Sequence, residues 1–202
     1  MNAIAPTRHG STASVEDGPG SSSDADTPPE PITLRPEVRC AAEVVAQWPA
    51  LDLPWVVDRL GRALREIDAP PKVSVLIVAA AKMRSLNHIH RGVRETTDVL
   101  TFEVQAEGEP TEADIVVCAD VAARQAAKRN HSIERELLLY ATHGVLHCCG
   151  FEDETPSGCS AIHAEEDRIL AAIGVGPTYA RDPAGHDDDR APGAVTGEHN
   201  LD

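Results

Sequence analysis

The 202-residue chain has room for one well-buried domain of about 120–150 residues plus tails, which excludes two full domains. Aromatic residues make up only 3% of it against 42% apolar residues in all, so a core has to be built from Val, Leu, Ile and Ala. A formal charge of −15 argues, as an average, against a nucleic-acid partner, because phosphate binding relies on Lys and Arg. That average is uneven. Residues 1–30 carry one base and five acids, and residues 181–202 two bases and six acids. The stretch from Arg59 to Arg94 holds eight bases (Arg59, Arg62, Arg65, Lys72, Lys82, Arg84, Arg91 and Arg94) against Glu66 and Asp68, so a local basic surface survives.

Along the chain, residues 1–31 are Ser, Gly, Pro, Thr and Asp with almost no apolar periodicity, the composition of a disordered N-terminal tail. Ile32 to Val38 is a weak strand candidate. Leu53 to Ile67 spaces Val56, Val57, Leu60, Leu64 and Ile67 as an amphipathic helix, which Pro70-Pro71 ends. Val73 to Val78 reads as a buried strand and Ala80 to His90 as a helix. Two further strands, Thr97 to Val104 and Asp114 to Cys118, flank a polar stretch with Gly108 and Pro110. Asp120 to Asn130 is a helix with Asp120 as its expected N-cap. Ser132 caps the next helix, which is apolar nearly all round, as a central helix is, and stops at Gly150. A last helix covers about Cys159 to Ile173, after a turn at Pro156 to Gly158. The sum is an α+β or α/β domain over residues 32–176, a mixed sheet of about four strands with five or so helices, followed by a second acidic tail, 177–202, also expected to be disordered.

His143 and His147 stand four apart on the central helix, so both rings project from one face. Two such imidazoles either hydrogen-bond within a core or grip one cation. The continuation favours the cation: Gly150 breaks the helix and Asp153 returns ten residues after His143, a workable tripod for a transition metal. His163 is the rival third ligand, with Cys159 and Cys149 behind it. Glu152 and Glu154 are neighbouring alternatives to Asp153, and Cys148 lies on the opposite stripe. The spacing is that of the zinc-protease motif, but Gly144 stands where that motif needs its general-base Glu. A glycine there is expected to leave space beside the metal for a bulkier substrate.

The run from His143 to Asp153, His-Gly-Val-Leu-His-Cys-Cys-Gly-Phe-Glu-Asp, resembles the His-Gly-x-Leu-His-Leu-x-Gly-Tyr-Asp-His signature of the YbeY family. Three further segments match that family in order. Leu86-Asn87-His88-Ile89-His90-Arg91 resembles Leu-Asn-x-x-Tyr-Arg, Thr97 to Phe102 resembles Thr-Asp-Val-Leu-Ser-Phe, and Ala113 to Val117 resembles Gly-Asp-Ile-Val-Ile. The resemblance implies a zincin-like YbeY fold and a metal-dependent endoribonuclease specific for single-stranded RNA. It also implies work in rRNA maturation, at the 3′ end of 16S rRNA, and in ribosome quality control. Zn²⁺ would be held by His143, His147 and Asp153, and Arg91 would be the catalytic residue that offsets transition-state charge. The implied partners are rRNA, the small ribosomal subunit and ribosome-associated proteins. One departure touches the site itself: the family's third ligand is His, and Asp153 stands in its place. A carboxylate oxygen binds zinc at about the same length as an imidazole nitrogen, but its charge weakens the pull on bound water and moves preference slightly toward harder ions such as Mn²⁺. A non-catalytic ribosome-assembly factor that keeps the fold with an altered metal site is therefore the alternative.

Asp98, Asp114 and Asn87 read as structural groups at strand starts and in a loop. Arg124, Lys128, Arg129 and Arg135 read either as a wider basic face or as a solvated helix surface, and Trp48 and Trp55 as core or cap residues. Five cysteines without disulfide-like spacing and an N-terminus without a secretory pattern point to the reducing cytoplasm. The longest apolar run, Val75 to Ala81, is far short of a membrane span, which needs about 18 residues.

Overall fold

The computed structural model describes residues 35–104 and 111–179. The tail expected at 1–31, residues 180–202 of the tail expected at 177–202, and the Gly108–Pro110 stretch lie outside these residues. In chain order the elements are β1 (Glu37–Cys40), α1 (Ala42–Gln47), α2 (Leu53–Arg65), β2 (Lys72–Val78), α3 (Ala80–Arg91), β3 (Val99–Val104), β4 (Glu112–Cys118), α4 (Ala119–Arg129), α5 (Ile133–Cys148) and α6 (Pro156–Ala172). The sheet runs β1-β2-β4-β3, with the first three strands parallel and β3 antiparallel to β4. This is an α+β fold with a mixed four-stranded sheet.

Alternation fixes which face of the sheet is covered. Val73, Val75 and Ile77 pair in register with Ala113, Ile115 and Val117, and all six are buried, whereas the intervening Ser74 and Leu76 stay partly open. On the covered face Thr101 pairs with Ile115, and α5 lies against both. The approach is close enough to require glycine. A Cβ at Gly144 would stand 2.7 Å from Thr101 Oγ1 and 3.1 Å from Ile115 Cδ1 and Cγ2. Gly144 therefore does not open space beside a metal, as its position in the sequence suggests; it lets the central helix settle onto the sheet. Every residue of α5 from Glu136 to His147 is buried, as the all-round apolar pattern requires.

Four local features differ from the sequence reading. The first strand lies at Glu37–Cys40 instead of beginning at Ile32, whose own placement is outside the described residues. Helix α1 has no side-chain cap and only six residues, too weak a local pattern to announce itself. Asp120 sits inside the first turn of α4, and its carboxylate crosses to accept from the Ala80 amide at 2.6 Å, capping α3 instead of its own helix. Thr155 caps α6, accepting from the Gly158 amide at 3.0 Å, so that helix starts at Pro156 and takes in the expected turn. The packed chain continues past residue 176. Asp167 accepts from the amides of Thr178 and Tyr179, and Arg135 donates to the carbonyls of Val175, Gly176 and Pro177 at 3.2, 3.0 and 2.8 Å.

Candidate metal centre

Helix α5 carries two of the candidate ligands and the turn after it carries the third. Ser132 starts the helix by accepting from the Arg135 amide at 3.3 Å. Gly150, at φ +87°, reverses the chain so that Asp153 comes back over the last turn. Two contacts hold this loop: the Cys159 thiol donates to the Asp153 carbonyl at 2.8 Å, and α6 packs so near that a Cβ at Gly158 would lie 2.5 Å from the Glu152 carbonyl oxygen. His143 and His147 are 1% and 7% exposed. The Asp153 side chain is 9% exposed, so the site is nearly dry.

The three side chains converge. His143 Nε2 and His147 Nε2 are 2.8 Å apart, and Asp153 Oδ2 lies 3.6 Å from the first and 3.7 Å from the second. The point equidistant from these atoms is about 2.0 Å from each, close to the roughly 2.0–2.2 Å of zinc bonds to nitrogen and oxygen. The far side of each ring fits the same assignment. His147 Nδ1 is 2.8 Å from the Phe151 carbonyl oxygen and His143 Nδ1 is 2.7 Å from Glu166 Oε1. A carbonyl accepts only, and so does a carboxylate in its ionised form, so both Nδ1 atoms are N–H donors, and a neutral ring then has its lone pair on Nε2. Two Nε2 atoms 2.8 Å apart beside a carboxylate form a donor set for a cation, and the residues present fit a divalent metal.

The rival ligands are placed elsewhere. The His163 ring is stacked on Tyr179, with centroids 3.8 Å apart and planes 11° from parallel. Burial, with the Glu103 carboxylate adding to it, pushes the Cys148 thiol up to about 12, and burial raises that of Cys149 as well. Neither belongs to the group of His143, His147 and Asp153, whose ligand atoms lie within 4.8 Å of one another. Glu166 is the site residue that the sequence reading missed. Its signal was there: it falls on the buried stripe Ile162, Glu166, Ile169, Leu170 of α6, an acid where the period demands an apolar residue.

Arg91 stands in the last turn of α3 and is half-buried. Asn87 is buried and donates to the Glu95 carbonyl at 2.8 Å, which fixes the loop after Arg91. Asp98 accepts from the Val99 amide and the Thr97 hydroxyl, the structural role expected of it. Asp114 is exposed in mid-strand. The basic surface is narrower than its sequence. Arg59 donates to the Ile173 carbonyl, Arg62 pairs with Asp58 and Lys72 with Glu112. Arg129 is drawn to the buried Glu136, and Arg135 holds the chain at residues 175–177. Lys82, Arg84, Arg91 and Arg94 lie on α3 and its exit, a stretch with no acid between residues 80 and 94.

The sequence model described as Endoribonuclease YbeY matches residues 54–174. The chain belongs to the YbeY family. Among curated relatives, an Endoribonuclease YbeY of Aromatoleum aromaticum is 33% identical over 79% of this chain and 99% of its own. That of Roseiflexus castenholzii is 34% identical over 69% and 95%, and that of Moorella thermoacetica 36% identical over 52% and 74%. The YbeY match spans every element from α2 to α6, including all three candidate ligands and Glu166. No helix among the described residues is long and apolar enough to cross a membrane.

Proposed function

We propose that this chain is a metal-dependent endoribonuclease that cuts single-stranded RNA during rRNA maturation, including the 3′ end of 16S rRNA, and in ribosome quality control. It would act in the cytoplasm with the small ribosomal subunit as its partner. The observation that supports this best is the convergence of His143, His147 and Asp153 on one point at metal-bond distance, in a member of an endoribonuclease family. A divalent ion held there, zinc first, supplies a Lewis acid for the phosphodiester and an activated water. The protein's own groups do the rest. The two histidines are oriented through their Nδ1 hydrogen bonds, Asp153 brings one negative charge, and the dry surroundings strengthen each of these interactions. Arg91, at the end of a helix that carries bases and no acids, is suited to bidentate contact with a phosphate and to the charge that grows on it.

Elemental analysis of protein purified without added ions tests the centre. About one zinc per chain, lost in Asp153→Ala and kept in His163→Ala, is expected; loss with His163 instead would move the site. Cleavage of a single-stranded oligoribonucleotide that stops on chelation, and in Arg91→Ala with the fold intact, would establish the activity. The Asp in place of the family's third His favours the second reading, a ribosome-assembly factor without catalysis. That reading predicts no cleavage by the zinc-loaded parent and an Arg91→Ala variant that still serves assembly.

A further inference from the structure

Resting on the metal centre proposed above, we propose that Glu166 is its positioning residue, holding His143 Nδ1–H so that Nε2 is presented to the ion and His143 becomes the more strongly donating of the two histidines. Glu166 is fully buried and comes from α6, 23 residues beyond His143, with Oε1 at 2.7 Å from the ring nitrogen. Burying a carboxylate costs several kcal/mol unless its charge is compensated. The His143 N–H supplies one hydrogen bond toward that compensation. With a divalent ion on the opposite nitrogen, the ring is polarised, its N–H becomes a stronger donor, and carboxylate and ion stabilise each other through the ring. His147 has no such backing, because its Nδ1 donates to the uncharged Phe151 carbonyl. One divalent ion thus meets two carboxylates, Asp153 directly and Glu166 across His143, and the set is neutral when loaded. A packing role alone would be served by an apolar residue on the Ile162, Ile169, Leu170 stripe.

The test uses the full-length chain. Glu166→Gln keeps the volume and an oxygen that can accept from Nδ1–H, and removes only the charge. Zinc affinity, read by competition with a chelating dye, should weaken about tenfold, at the lower end of the 10–100-fold seen for such partners, or about 1.4 kcal/mol. The melting temperature of the metal-free protein should stay within a few degrees of the parent while the rise produced by zinc shrinks. Unchanged zinc affinity would overturn the proposal, leaving Glu166 to packing. A parent that binds no zinc would overturn the metal centre and this inference together, an outcome distinct from a parent and variant that bind alike. Should the variant not fold, long-range proton–nitrogen NMR on the metal-free parent decides the matter: a proton on His143 Nδ1 is expected, and a bare Nδ1 would overturn the inference.

Discussion

Replacing Gly144 by alanine tests whether the central helix is pinned to the sheet. The added methyl would stand 2.7 Å from Thr101 Oγ1 and 3.1 Å from two Ile115 carbons, where attractive contacts begin at about 3.5 Å. All three atoms belong to short, branched side chains on paired strands, so α5 has to lift by several tenths of an ångström. Overpacking of this kind costs about 1–3 kcal/mol. Alanine returns about 1 kcal/mol through its better helix propensity. Three simultaneous contacts put the cost in the upper half of its range, for a net loss of about 1–2 kcal/mol. Urea unfolding followed by circular dichroism measures it, and a thermal melt should fall by about 2–4 °C per kcal/mol. Thr101→Ala removes the nearest atom, a buried hydroxyl with no hydrogen-bond partner among the described residues. The double variant should therefore recover at least about 0.5 kcal/mol beyond additivity. A Gly144→Ala protein as stable as the parent would refute the argument, since helix propensity would then outweigh a contact that costs nothing.

Three further outcomes follow from the same geometry. Arg135→Ala frees the chain at residues 175–177 from three carbonyl contacts and should cost about 2–4 kcal/mol, each bond to a charged group being worth roughly 1.5–3 in isolation but not additively; limited proteolysis should cut within residues 175–179 faster than in the parent. Cys148, with its thiol pushed up to about 12, should resist iodoacetamide at pH 8 in the folded protein and react readily once unfolded, as mass spectrometry would show. Its thiolate appears only as pH climbs toward that value, so its rate should still be rising at pH 10, where an ordinary thiol near 8.5 has levelled off. Cys159→Ala removes the 2.8 Å contact to the Asp153 carbonyl and should weaken zinc binding several-fold with the fold retained, as chelator competition would report.

How far these features could be read from the residues follows from their range. Helix α5 was fully legible, because its cap Ser132, its apolar surround and its stop at Gly150 are all local. The same holds for the clustering of His143, His147 and Asp153, which fall within one helix turn and the loop behind it. Asp120 was legible as a capping residue but not as the cap of α3, because its target amide at Ala80 is 40 residues away. Thr155-Pro156 carried a start signal that the following glycine obscured. The basic stretch was misjudged for a similar reason: Lys72 looks free until β4 brings Glu112 beside it. Gly144 carried no local sign at all, since its requirement is set by two strands that the helix meets only after folding.

The ligand set also has an order in time. His143, His147 and Asp153 fall within eleven consecutive residues, so bringing them together closes a short loop at small entropic cost, whereas Glu166 arrives only when α6 docks. During synthesis the three donors emerge from the ribosome before the carboxylate that steadies them. On the proposed metal centre, an ion captured at that stage would be bound loosely, and docking of the last helix would lock it in.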